Sequence, residues 1–183
     1  MKRVLLFVVL VASCIVANAQ WSIGADVRID PFGGYDDQHH VGSDIVVNYS
    51  VDMPLDFYIM PTIGVFYRGY YSETWMDGGY HSYYDRYHLG IDFTMVAGWK
   101  FKIAKGHWSV FTGPRYAYAC ISKVWNDRLN RNSFDWRIGV SYSPISRITC
   151  SAKVDIACLR LDKDSRYSPK QTPTLAFGIA YNF

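Results

Sequence analysis

Residues 174–183 alternate without a slip. Leu175, Phe177, Ile179, Tyr181 and Phe183 fall on one side, and Thr174, Ala176, Gly178, Ala180 and Asn182 on the other. A period of two means a β-strand whose two faces meet different surroundings. Here one face is large and apolar and the other is small or polar.

Seven more segments carry the same pattern, at about 21–30, 41–51, 56–68, 87–100, 108–120, 134–142 and 148–158. The clearest is 87–100. It sets Tyr87, Leu89, Ile91, Phe93, Met95, Ala97 and Trp99 against His88, Gly90, Asp92, Thr94, Val96, Gly98 and Lys100. Pro61 in the third segment, and Thr112 and Pro114 in the fifth, interrupt the apolar face. Segments of about 9–14 residues exceed the usual soluble strand of about 5–6 and suit a tilted membrane strand. Aromatic residues make up 17% of the chain, and Glu73 stands as the one glutamate against many aspartates. Beyond the amino terminus no stretch carries a helical period, so the expected fold is all-β.

The connections alternate too. Those after the first, third, fifth and seventh segments are long (about 31–40, 69–86, 121–133 and 159–171). Those after the second, fourth and sixth are short (about 52–55, 101–107 and 144–147). Short turns on one side and long loops on the other describe an up-and-down membrane barrel with an even strand count. Trp21, Tyr49, Phe57, Trp99, Trp108, Tyr142 and Phe183 fall beside short turns or the termini, and Tyr67, Tyr87, Tyr118, Phe134 and Trp136 beside the long loops. Amphipathic rings favour the headgroup level, so two girdles are expected.

The small face decides which side is inside. If it met water it would carry many lysines and glutamates. It carries instead Gly24, Gly42, Gly64, Gly90, Gly98, Gly113, Gly139 and Gly178, with serines and a few charges. Small residues suit the bore of an eight-stranded barrel, which side chains just fill. The charges also balance: Asp26, Asp30, Asp44, Asp92, Asp135 and Asp155 against Arg28, Arg68, Lys100, Arg115, Arg137 and Lys153. Charges withdrawn from water need partners. A paired interior predicts a plugged bore rather than an open channel.

The amino terminus supplies an address. Lys2 and Arg3, the apolar run 4–16 and Ala17-Asn18-Ala19 make the three regions of a secretory signal peptide, with residues 20–183 as the mature barrel. Val11-Ala12-Ser13-Cys14 offers a lipoprotein cut as a competing reading. Loss of Lys2 and Arg3 takes the formal charge from +3 to +1, which gives no case for a nucleic-acid partner. Cys150 and Cys158 stand about 26 Å apart along one strand and cannot pair with each other. Like Cys120 they read as small apolar residues, in a spacing that fits no zinc pattern.

Taken together, the strands, the girdles and the terminal aromatic resemble the small bacterial outer-membrane barrels of the OmpA-like and OmpX-like kind. Phe-Thr-Gly-Pro-Arg-Tyr at 111–116 and Phe-Asp-Trp-Arg-Ile-Gly-Val at 134–140 look more like the PorT-like barrels of the Bacteroidetes. That resemblance implies an eight-stranded transmembrane barrel in the outer membrane, contacts with lipid, and for some members a link to protein secretion. It assigns no functional residue.

No catalytic, cofactor-binding or metal-binding residue is expected. His88 and Asp92 share the inward face of one strand but lie about 13 Å apart along it, too far for a base–carboxylate pair. His81-Ser82 falls in the second long connection, the 69–86 loop, where adjacent residues cannot be read as a pair, and no Gly-x-Ser-x-Gly elbow occurs. Asp36, Asp37, His39 and His40 gather in one loop without a metal-ligand spacing. The loop 69–86 is the best interaction candidate, with Tyr70, Tyr71, Trp75, Met76, Tyr80, Tyr83 and Tyr84 around Asp77-Gly78-Gly79. The competing reading makes those rings an extension of the barrel wall. The expectation is a monomeric structural or surface-interaction barrel acting through its external loops, as a secretion or envelope accessory. A lipid-modifying enzyme and a narrow channel are the alternatives.

Overall fold

The computed structural model of the protein describes residues 19–29, 39–76, 79–103, 106–123, 132–159 and 173–183. For 19, 39–40, 70–76, 79–86, 123 and 159 it describes the backbone alone. The proposed signal peptide, Asp30 and most of the 33–40 loop lie outside these residues.

Eight antiparallel strands close in chain order: β1 (Ala19–Ile29), β2 (His39–Asp52), β3 (Phe57–Met76), β4 (Gly79–Ile103), β5 (Gly106–Lys123), β6 (Asn132–Ile145), β7 (Ile148–Leu159) and β8 (Thr174–Asn182). The ring shuts where β1 pairs β8, from Ser22↔Asn182 to Ile29↔Leu175. Closure satisfies the main chain without leaving an edge, which a strand in lipid requires. A single turn of 3-10 helix (Pro54–Asp56) interrupts the β2–β3 connection.

The alternation sorts as expected. Trp21, Ile45, Val65, Phe93, Ile138 and Phe177 point outward and are exposed, while Asp26, Asp44, Phe66, Asp92, Arg115 and Ala176 point inward and are buried. The aromatic ends pair across strands. Trp21 packs on Tyr49 at 4.7 Å, Phe57 stacks on Trp99 at 6.2 Å and Trp108 meets Tyr142 at 4.6 Å beside the short turns. Tyr67 stacks on Tyr87 at 5.9 Å toward the other end.

Of the two readings of the 69–86 segment, the wall extension holds for the backbone: the segment is a paired hairpin. β3 and β4 stay in register from Phe57↔Trp99 to Met76↔Gly79, with one irregularity between Tyr70 and Ser72. Residues 77–78 alone separate the two strands and lie outside the described residues. The rich β-propensity of Tyr and Trp there favours pairing over a free loop. Strand boundaries elsewhere shift by a few residues, as at β4, which runs on to Ile103.

Inward residues fit by size. Arg28 is register-paired with Gly42, Asp26 with Gly178, Asp92 with Gly64, Arg137 with Gly113, Lys153 with Gly139 and Tyr58 with Gly98. Each long side chain lies over a neighbour that has none, which is how a narrow bore is filled. At Gly113 the close neighbour is main chain. The β4–β5 ladder breaks between Thr94↔Arg115 and Ala97↔Thr112, where Pro114 brings no N–H. A Cβ on Gly113 would lie 2.8 Å from the Val96 Cα, a backbone atom that cannot swing aside.

Gly113→Ala should therefore destabilise the barrel by about 1–3 kcal/mol or more. Gly69→Ala meets only the Tyr67 ring, at 3.3 Å and beyond, and should be tolerated. Urea midpoints of the refolded protein in detergent micelles separate the two; equal midpoints would contradict the packing described.

Candidate functional site

The bore holds two zones, a buried ion cluster and an open vestibule. Six strands supply the ion cluster. Arg28 on β1 binds Asp44 of β2 and Asp155 of β7, with Asp92 of β4 at 3.8 Å. Arg115 on β5 donates to Asp92 at 2.8 Å and to Asp135 of β6 at 2.9 Å. Arg137 on β6 clamps Asp155 through two bonds of 2.7 and 2.9 Å. Lys153 on β7 reaches both Asp26 oxygens at 2.7 and 2.6 Å. Bidentate guanidinium pairing is the geometry in which buried ions recover most of their lost hydration.

Arg28, Asp92 and Arg115 are each no more than 1% exposed, so the bore is shut at this level. β3 and β8 contribute room rather than charge, through Gly64 and Gly178. Apolar groups flank the cluster along the strands. Tyr58, Val96 and Phe111 lie toward the short-turn end, and Phe66, Ala117 and Ala119 toward the long-loop end.

Below the cluster a cavity of about 370 Å³ opens at the short-turn end. Its walls carry hydroxyls in short hydrogen-bonded chains. Tyr58 and Ser109 share a bond of 3.1 Å, and Ser109 and Ser141 one of 2.7 Å. Thr62 donates to Asn48 at 2.9 Å, and Asn48 to Ser22 at 3.0 Å. Ser143 and Thr149 lie 2.8 Å apart, with Asn182 donating to Thr149. Lys100 and Asp52 pair at the mouth.

The interior charges read in the sequence lie inward where they are described, and Asp52 joins them; Asp30 lies outside the described residues. Lys100 pairs with Asp52, and Arg68 lies 4.9 Å over the Phe66 ring. Asp52 was assigned to a turn, yet it keeps the even-numbered parity of Gly42, Asp44, Asn48 and Ser50, which marks it as inward. The vestibule had a signal too. Toward the short-turn end the inward positions change from charges to Ser22, Ser109, Ser141 and Ser151.

His88 is buried on the inward face, and the Asp92 carboxylate on its strand is committed to Arg115. The side chains of His81, Ser82, His39 and His40 lie outside those described, as do Asp36 and Asp37. Among the described residues no group of three His, Cys, Asp or Glu is placed to hold a metal. Cys120, Cys150 and Cys158 are free thiols on the outer surface.

No protein-family model and no curated protein sequence matches the chain. Solved structures do match. The outer membrane enzyme PagL has a TM-score of 0.50 at 11% identity, over 88% of this chain and 98% of that one. The N-terminal β-barrel domain of Pseudomonas aeruginosa OprF has a TM-score of 0.46 at 14% identity, over 91% and 98%. Ail, the attachment invasion locus protein of Yersinia pestis, has 0.44 at 14%, over 90% and 97%. The likeness to PagL is one of fold. With the exposed apolar band and the paired girdles, it gives the chain the fold of the small eight-stranded transmembrane barrels.

Removing one partner from the cluster should cost more than removing a pair. Arg115→Met takes the guanidinium from Asp135, leaves Asp92 only the more distant Arg28, and should lower unfolding free energy in micelles by about 3–5 kcal/mol. Lys153→Met should be costly as well, and adding Asp26→Asn should recover most of that loss. Additive losses in the double variant would show that the pair is not coupled.

Proposed function

We propose that the protein is a surface-interaction barrel whose closed body anchors the β3–β4 hairpin outside the outer membrane. The carrying observation is the unbroken pairing of that hairpin to Met76↔Gly79. A membrane strand needs about 9–11 residues, whereas β3 has 20 and β4 has 25. The stack of Tyr67 on Tyr87 marks the outer girdle. From Tyr67 to Met76 the strand continues for nine residues, about 30 Å of chain at the usual rise.

The projecting segment carries Tyr70, Tyr71, Trp75, Met76, Tyr80, Tyr83 and Tyr84. Rings of this type give large contact area for little lost freedom, and a paired hairpin orders them before a partner arrives. The partner that fits is an extracellular or envelope protein. Accessory work in secretion is one setting for such a contact. The shut ion cluster favours an anchor over a channel, and stable single-channel steps in planar bilayers would reverse that preference.

Replacing residues 72–83 by a two-residue turn should leave the barrel folded, with heat-modifiable migration on SDS gels retained. Cells carrying the shortened protein should lose adherence to protein-coated surfaces that the full-length protein confers. Equal adherence with a folded barrel would return the hairpin to a wall role.

A further inference from the structure

We propose that the vestibule is a binding site, entered from the periplasm, for a neutral pyranose sugar, either free or at the end of a glycan strand. The site is blind. Asp26 and Lys153 lie at its inner end, and beyond them Arg28 and Arg115 close the bore. A ligand must enter and leave by the short-turn mouth, which favours a compact group over a threaded chain. A volume of about 370 Å³ sits at the small end of ordinary ligand cavities.

Charge selects against an ionic ligand. Both lysines of the lining are already engaged, Lys153 with two oxygens of Asp26 and Lys100 with Asp52. What the walls offer is unspent hydroxyl capacity. Tyr58, Ser109 and Ser141 hold three O–H protons and share two hydrogen bonds, so one proton is left to donate. Ser143 and Thr149 hold two protons and share one bond, and Ser22 accepts from Asn48 while keeping its own proton. The oxygens of Tyr58, Ser141, Ser143 and Ser22, each in one hydrogen bond, also retain a lone pair. The wall therefore offers both donors and acceptors, as a sugar ring does.

The remaining wall is apolar, formed by Val46, Met60 and Phe111. A pyranose presents hydroxyl edges and C–H faces, and both have a counterpart here. Burying the C–H face on Phe111 while the edges replace water at the serines is the arrangement that small polar ligands need to gain over solvent.

The test uses the full mature barrel in detergent micelles, with cellobiose as the probe and amide NMR shifts as the readout. Saturable shifts are expected at Ser109, Phe111 and Ser141. Ser141→Phe, which fills the vestibule, should abolish them. Ser109→Ala with Ser141→Ala should weaken binding at least about tenfold, the worth of one or two hydrogen bonds. Val140→Ala, on the lipid face, should leave it unchanged. Heat-modifiable migration confirms that each variant is folded, and the double alanine variant decides the matter if Ser141→Phe does not fold. Cellohexaose binding as well as cellobiose would assign a glycan end, and cellobiose alone a free sugar; both support the site. The proposal falls if tens of millimolar cellobiose give no shifts, if the shifts persist in Ser141→Phe, or if gluconate and glucosamine give the same shifts.

Discussion

In hydrocarbon an unpaired main-chain N–H or C=O costs several kcal/mol, and closing the sheet removes every edge at once. The β1–β8 seam is thus the contact on which the rest of this molecule depends. Closing eight strands fixes a bore hardly wider than the side chains inside it. Whatever points inward must then fit by volume and be satisfied by polarity, with almost no freedom to adjust.

Size and charge are solved by the same residues. An aspartate or arginine inside the wall needs both space and a partner of opposite sign. The register supplies the space from the adjacent strand, as Gly178 does for Asp26 and Gly64 for Asp92. The partner comes from a different strand, as Lys153 does for Asp26 across β8 and Arg115 for Asp92 from the neighbour on its other side. A one-residue slip of any strand would set long side chains against one another and part the ion pairs together. The cluster thereby reads out the register of six strands at once, and a misregistered barrel has no low-energy interior. Buried ion pairs contribute little net stability against apolar replacements. In a bore this narrow their use is to fix which strands pair and how.

The period-two pattern carried most of this into view. It is strong because lipid and bore are such different surroundings, so Ile23 and Gly24, or Phe177 and Gly178, could not exchange places. Partner identity was less legible. Lys100 was counted with the interior charges, but its pairing with Asp52 depends on how far β2 and β4 run past the girdle, which alternation does not fix. The 69–86 segment was legible as two alternatives. Its Asp-Gly-Gly and crowded tyrosines serve as a binding loop or as a hairpin extending the wall, and only the register of β3 against β4 distinguishes them. The vestibule escaped because serine is an ordinary inward residue at each position singly. Its meaning lies in Ser109, Ser141 and Ser151 arriving side by side on three consecutive strands.

The two ends of the bore make different demands on the chain. Toward the long loops, Phe66, Ala117, Ala119 and the ion cluster occupy the lumen. That end must hold a long hairpin steady, and a dense, charge-locked interior resists the shear a projecting lever puts on its base. Toward the short turns the side chains shrink to hydroxyls and the lumen opens. No lever stands there, so the wall can give up packing without losing register, because the outer cluster has already fixed it. A cavity is affordable at one end because the other is overdetermined.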